Sequence, residues 1–231
     1  GVHWSRGQLK PYCKETSGLP LSFHRLHSTD ARPVYASPLY HVVTRDLRPF
    51  WELETSLRGG ILSEEMGLGK TVEVITLILM HRRPPHPPFV LDQYSGNQVR
   101  PTGATLIVTP PNLKSQWLSE MDKHAPGLRV MYYGGVKRHE SSSGDELVKE
   151  LAEHDVVVTT YGVLQAEIHF ATDPPQRAMR HERKHPRPKS PLIQLSWWRV
   201  CLDEAQQIES GVSAAAKVAR TIPRVNAWGV T

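Results

Sequence analysis

Cysteine is scarce: the 231 residues contain two, Cys13 and Cys201. Two thiols cannot build a disulfide framework, and Cys201 lies in a strand-like apolar run, so a reducing compartment is expected. No apolar stretch approaches the ~20 residues that a bilayer-spanning helix needs, which excludes a transmembrane helix and leaves no membrane partner to expect. Apart from one formal match within 181–185, no Cys/His cluster has metal-ligand spacing. The chain opens Gly1-Val2-His3-Trp4, without an initiator methionine or a charged-then-apolar leader, and a fragment of a longer protein is the expectation. A uniformly cationic surface is missing too, despite the net charge of +5. Six of the 28 basic residues but one of the 23 acidic ones lie between Arg177 and Lys189, and the remaining chain carries 22 of each. The basic balance therefore belongs to one segment, expected as a solvated insertion, with weak contact to a phosphate backbone as the sharper reading.

What is present is organised around Ile61-Leu62-Ser63-Glu64-Glu65-Met66-Gly67-Leu68-Gly69-Lys70-Thr71. Gly59-Gly60-Ile61-Leu62 reads as a buried strand, and Thr71 to Met80 reads as a helix. Strand, glycine turn, Lys-Thr and helix together make a phosphate-binding loop. Glycines at 67 and 69 let successive N–H groups face one point, and the positive end of the new helix aims there too. Lys70 would reach the outer phosphates of a nucleotide, and the Thr71 hydroxyl would ligate Mg²⁺. The usual first glycine of the pattern is replaced by Glu64.

Along the rest of the chain, residues 1–58 show no sustained period, and Pro33, Pro38 and Pro49 interrupt any helix there. They read as an irregular extension, with a short strand over Leu39–Val43. Pro84-Pro85-His86-Pro87-Pro88 stops the first helix and opens a surface excursion over 84–103. Ala104–Thr109 is β-branched and reads as a second buried strand. Asn112 is placed to cap a helix over 113–124, whose Leu113, Trp117, Leu118 and Met121 share one face. Further strands are expected at Arg129–Tyr133, Asp155–Thr160, Trp197–Leu202 and Arg224–Val230, with helices at Glu146–His154, 161–169 and Ser213–Arg220. The Pro- and charge-rich stretch 170–192 reads as a disordered insertion. Strands alternating with helices of this length imply an α/β fold, a parallel sheet covered on both faces. Such sheets bind ligands at the carboxyl ends of their strands, where every candidate group here falls.

Val200-Cys201-Leu202-Asp203-Glu204 is an apolar strand ending in two carboxylates. Neighbours on a strand point to opposite faces, so the pair can divide labour. Asp203 would hold Mg²⁺, and Glu204 would orient or deprotonate an attacking water.

Glu64-Glu65-Met66-Gly67-Leu68-Gly69-Lys70-Thr71 closely resembles the signature of Swi/Snf-type ATPases, a branch of helicase superfamily two. Thr109-Pro110 with Gln116-Trp117 looks like that family's motif Ia, and Thr159-Thr160-Tyr161 like its motif Ic. Asp203-Glu204-Ala205-Gln206 stands at its Asp-Glu box, with Gln206 where most members carry histidine. Trp228-Gly229-Val230-Thr231 looks like the opening of motif III. Gln206, the Trp197-Trp198-Arg199 lead-in and the preceding insertion are most similar to the SHPRH-type subgroup, which also carries a RING ubiquitin-ligase module. The resemblance covers residues 59–231 and implies the first RecA-like lobe of a two-lobed motor. Its second lobe, which supplies an arginine finger, would lie beyond Thr231, and the family's adenine-reading glutamine motif has no recognisable copy upstream.

The resemblance implies ATP and Mg²⁺ as cofactors. Glu65, Met66, Gly67, Leu68, Gly69, Lys70 and Thr71 would cradle the nucleotide, and Asp203, Glu204 and Gln206 would act with Lys70 in hydrolysis. Pro110, Pro111, Lys114, Gly134, Gly135, Thr159 and Thr160 would line a track for the phosphates of duplex DNA, read without regard to base sequence. Lys137 and Arg138 would add charge. The expected function is an ATP-driven motor lobe in chromatin remodelling or DNA repair, acting in the nucleus and nearly inactive as this fragment alone. Nucleosomes, and a ubiquitin-conjugating enzyme reached through a RING module elsewhere, are the expected further partners. The rival is a DNA- or partner-binding scaffold lobe of a ubiquitin ligase with dispensable ATPase activity. A small-molecule kinase finds no lid or acceptor-site pattern. His181-Glu182-Arg183-Lys184-His185 matches the zinc-protease spacing formally, but its charged, proline-bounded setting argues against a buried metal helix.

Overall fold

The computed structural model describes residues 23–26, 33–37, 42–50, 58–65, 67–92, 96–138, 144–172 and 189–231. The chain divides into two compact units, Gly1–Arg58 and Gly59–Thr231. In the first, β1 (His24–Leu26), β2 (Val34–Ser37) and β3 (Val42–Thr44) form an antiparallel sheet in that order. The irregular extension expected there thus contains a small sheet. The strand expected over Leu39–Val43 overlaps β3, and residues 38–41 lie outside the described ones.

The second unit is a seven-stranded, mostly parallel sheet. Its strands are β4 (Gly59–Leu62), β5 (Val90–Leu91), β6 (Gln98–Thr109), β7 (Val130–Tyr132), β8 (Val156–Thr160), β9 (Leu195–Asp203) and β10 (Arg224–Val230). Six run parallel in the order β4-β10-β9-β6-β8-β7, and β5 pairs antiparallel with β6. The helices are α1 (Lys70–Met80), α2 (Lys114–His124), α3 (Gly144–Glu153), α4 (Tyr161–Ala166), α5 (Ile168–Ala171) and α6 (Ala214–Thr221).

Strand alternation sorts the apolar residues between two layers. Ile107, Cys201, Val156 and Val158 meet Val74, Ile75 and Ile78 of α1 and Trp117 and Met121 of α2. Leu106, Val108, Val157 and Val200 face the other way, against Leu151 of α3, Leu164 of α4 and Val218 of α6. Each fully buried aliphatic side chain contributes about 1.5–3 kcal/mol. A charge at Ile107, in a strand flanked on both sides, would therefore break the layer.

Several local expectations are corrected. β4 is not a buried strand: among the described residues it pairs with β10 alone, so Leu62 is buried while Ile61 is 71% exposed. β6 begins at Gln98 rather than Ala104, and the excursion expected over 84–103 folds back as a β5–β6 hairpin. Pro101 is tolerated beside a register shift between Thr102 and Thr105, where the ladder is already interrupted. Asn112 caps nothing; α2 starts after Leu113 without a side-chain cap. The helix expected over 161–169 is broken at Glu167 into α4 and α5. The end of the insertion is ordered, because buried Ser190 caps a one-turn helix, Pro191–Ile193, whose Pro191 and Leu192 are buried too. The histidines of the formal zinc spacing, His181 and His185, lie outside the described residues.

Candidate functional site

All parallel strands of the second unit deliver their carboxyl ends to one edge of the sheet, and register fixes which residues meet there. Val230 pairs with Leu62 of β4 on one side and with Asp203 of β9 on the other. The phosphate-loop strand and the carboxylate strand are therefore separated by one strand, about 10 Å between them. Thr231 continues this row, donating its N–H to the Leu62 carbonyl at 3.0 Å.

In the loop after β4, Gly67 and Gly69 have φ of +85° and +94°, and an added Cβ at either would meet nothing within 4 Å. Glycine is thus required there by backbone angle and not by space. α1 has no side-chain cap, so its first-turn N–H groups remain open to an anion. The Lys70 ammonium lies folded into the loop, donating to the carbonyls of Glu64 at 2.6 Å and Glu65 at 3.1 Å. Thr71 is half-buried on the first turn, and Glu65, Gly67 and Leu68 are exposed around it. Met66 lies outside the described residues.

Asp203 is buried, and both of its side-chain bonds end on one oxygen. Oδ2 accepts from the Thr109 hydroxyl at 2.8 Å and from the Trp117 indole N–H at 2.7 Å. Among the described residues Oδ1 has no partner and is left for a further one. The Tyr161 hydroxyl donates to the Asp203 carbonyl at 2.7 Å. Burial first, then the carboxylates of Asp203 and Glu204, hold the Tyr161 hydroxyl well above the ordinary phenol range, so it stays a donor. These partners fix the carboxylate from β6, α2 and α4. Sequence reading assigns Trp117 to the core and leaves Thr109 and Tyr161 inside motif resemblances; their positions beside Pro110 and Thr160 are the available signal.

Glu204 has φ 50° and is the one non-glycine with positive φ among the described residues. That strained turn sends its side chain off the strand, onto the side of Gln206. The Gln206 amide donates to Glu204 Oε2, while its Oε1 accepts from the Thr231 hydroxyl at 2.8 Å. Gly229 lets this turn approach β10, since a Cβ there would lie 3.4 Å from that of Ala205.

The residues expected to touch DNA divide. Pro110 is buried and Pro111 exposed after β6, and the Lys114 ammonium lies 4.5 Å from the Tyr132 ring centroid. Gly134 and Gly135 follow β7, with Lys137 and Arg138 exposed beyond them. Both Thr159 and Thr160 are buried, and the Thr159 hydroxyl spends its proton inside the protein, whereas the Thr160 hydroxyl keeps its own to donate. Thr159 donates to the Tyr133 carbonyl at 3.0 Å, and Thr160 caps α4 by accepting from the Val163 N–H.

Glu167, which sequence reading misses, is buried beneath that turn. Its carboxylate accepts from the Tyr133 hydroxyl, the Ser190 hydroxyl and, at 2.9 Å, the Val136 N–H. Burial and this neighbouring carboxylate raise the Tyr133 hydroxyl far above its usual range. One acid thus ties the Gly134–Val136 turn to the ordered end of the insertion.

Comparison with known proteins fits this layout. A family model described as the SNF2-related domain matches residues 44–231. The chain belongs to the SNF2-related domain family. This SNF2-related chain is 35% identical over 180 residues to the uncharacterized ATP-dependent helicase IRC20 of Saccharomyces cerevisiae, covering 74% of the chain and 11% of that protein. It is 36% identical over 137 residues to the human E3 ubiquitin-protein ligase SHPRH, covering 56% of the chain and 8% of that protein. With the DNA repair protein RAD5B of Arabidopsis thaliana it shares 34% identity over 192 residues, 75% of the chain and 13% of that protein. The SNF2-related chain thus spans about a tenth of the length of the curated relatives it matches.

Proposed function

We propose that Gly59–Thr231 is the ATP-binding first lobe of a DNA-dependent ATPase that moves along duplex DNA in the nucleus, in chromatin remodelling or DNA repair. The observation that carries this reading is the row Leu62–Val230–Asp203, which brings a glycine loop with an uncapped helix and a fixed carboxylate to one edge. The α1 N–H groups and Lys70 would bind the nucleotide phosphates once Lys70 exchanges the Glu64 and Glu65 carbonyls for them. Thr71 and Oδ1 of Asp203 are the oxygen donors suited to Mg²⁺. Mg²⁺, when bound, would neutralise charge on the phosphates. Glu204 would accept a proton from water or orient it, with the Gln206 amide holding the carboxylate in place and linking it to Thr231.

Pro111, Lys114, the Gly134–Gly135 turn, Thr160, Lys137 and Arg138 would face DNA, without help from the Thr159 hydroxyl. Nucleosomes, and a ubiquitin-conjugating enzyme reached through another part of the protein, are the partners this reading adds. A scaffold with dispensable hydrolysis is the weaker alternative, because Lys70, Thr71, Asp203 and Glu204 are all kept. The test is Glu204→Gln in the full-length protein. ATP should bind but persist unhydrolysed in the presence of DNA, and a normal hydrolysis rate would overturn the role given to Glu204.

A further inference from the structure

At the opposite ends of the same strands lies a second concentration of charge that the nucleotide reading does not use. A cleft of about 240 Å³ opens between the end of α1, the start of β9, and the turns before β7 and β8. Arg82, Arg83, Arg129, Arg199 and His154 line it, against a single acid, Asp155. From Lys70, α1 runs about 16 Å before reaching it, so it is separate from the phosphate loop.

Arg199 is the anomaly. It is 1% exposed, and among the described residues no carboxylate pairs with it. Its Nη1 donates to the Thr105 hydroxyl at 2.9 Å and its Nη2 to the His81 carbonyl at 2.9 Å, while its Nε has no partner. The bond to His81 caps the end of α1, whose dipole supplies about half a negative charge. Arg83 is held in the same way by neutral groups, the carbonyls of Thr102 at 2.9 Å and Ser196 at 2.6 Å, beside the Trp198 ring. Burial draws both guanidinium groups below their ordinary range. Four guanidiniums against one carboxylate and the helix end leave roughly +2.5 in one cleft. A buried cation without a counter-charge is costly unless something supplies one. The register shift in β6 sits at this point and turns the Thr105 hydroxyl onto Arg199.

We infer that this cleft is a binding site for a multiply charged phosphate anion, distinct from the nucleotide site. Planar guanidinium forks suit phosphate oxygens. Arg83 and Arg199 are fixed from behind, while Arg82 and Arg129 are exposed at the rim, Arg129 resting on Asp155 at 3.4 Å, a pairing that an anion would compete for.

Pyrophosphate titrated calorimetrically into the chain is the direct test, with Lys70→Ala used to silence the phosphate loop. Binding should survive Lys70→Ala and weaken at least about tenfold when Arg82→Ala and Arg129→Ala are added. Both arginines are exposed, so the fold should stand; an unchanged melting temperature without ligand checks it. Pyrophosphate should raise the melting temperature of Lys70→Ala but not of the triple variant. Equal affinities in the two variants, or no binding to Lys70→Ala at all, would overturn the proposal. Loss of binding in Lys70→Ala would leave the nucleotide reading intact, so the two fail separately. A short duplex that displaces pyrophosphate from Lys70→Ala would assign the phosphate to a DNA backbone; failure to displace it would assign it to a free anion.

Discussion

Trp117 donates its indole N–H to Oδ2 of Asp203 at 2.7 Å, so a helix that follows β6 holds the carboxylate at the end of β9. The aromatic body packs in the layer with Ile75 and Ile107 while its polar tip enters the site. One residue thus joins the core to the candidate chemistry.

Trp117→Phe keeps most of the apolar bulk and removes the donor. A hydrogen bond to a charged group is worth about 1.5–3 kcal/mol, and urea denaturation should show a loss of that order. Mg²⁺-dependent nucleotide binding should weaken in parallel, measured by titration with a fluorescent ATP analogue. Unchanged stability and binding would mean that Thr109 alone fixes Asp203.

Lys70→Ala should abolish nucleotide binding while costing little stability. Among the described residues the ammonium bonds carbonyls of its own loop alone, in a partly exposed setting, so the expected loss is about 1 kcal/mol or less. Equilibrium binding and a denaturant titration separate the two effects, and an unchanged ATP affinity would contradict the assignment of the loop.

Glu204→Gly should move stability and activity in opposite directions. Glycine relieves the positive φ and should stabilise the lobe by about 0.5–1 kcal/mol, with hydrolysis lost in the full-length protein. A destabilised variant would show that the Gln206 contact outweighs the backbone strain.

Cys201 gives a pH signature. It is fully buried, and burial pushes its thiol up to about 12. The unfolded thiol ionises near ~8.5, so its contribution to stability is present below that pH and is lost as pH rises towards the folded value. In a Cys13→Ser background, alkylation at pH 8 should be far slower in the folded than in the denatured chain, because the thiol is both buried and less ionised. Comparable rates would place Cys201 at the surface.

Deleting residues 177–189 removes six basic residues and one acid. DNA binding should become less salt-dependent, the log–log slope falling by up to ~0.9 for each phosphate the segment neutralises, with ATP affinity unchanged. An unaltered slope would make the segment a spacer.

Much of the second unit is legible in the chain itself. The β-branched runs at Ala104–Thr109 and Asp155–Thr160 announce strands, and Gly67 and Gly69 announce a turn needing positive φ, because both signals are local. Boundaries fail where tertiary packing intervenes: β6 gains six residues by pairing with β5 and β9, and Glu167 breaks a helix to reach Tyr133 and Ser190.

By itself the sequence determined the alternation of strands and helices, the composition of the loop at Lys70 and the acidic end of β9, since these follow from period and from backbone angle. Only the tertiary structure decided that β10 lies between β4 and β9, that Trp117, Thr109 and Tyr161 converge on Asp203, and that Arg199 is buried with no acid paired to it among the described residues. Those facts depend on which segments become neighbours across many residues, and that choice is made by burying the whole sheet at once, not by any stretch of it.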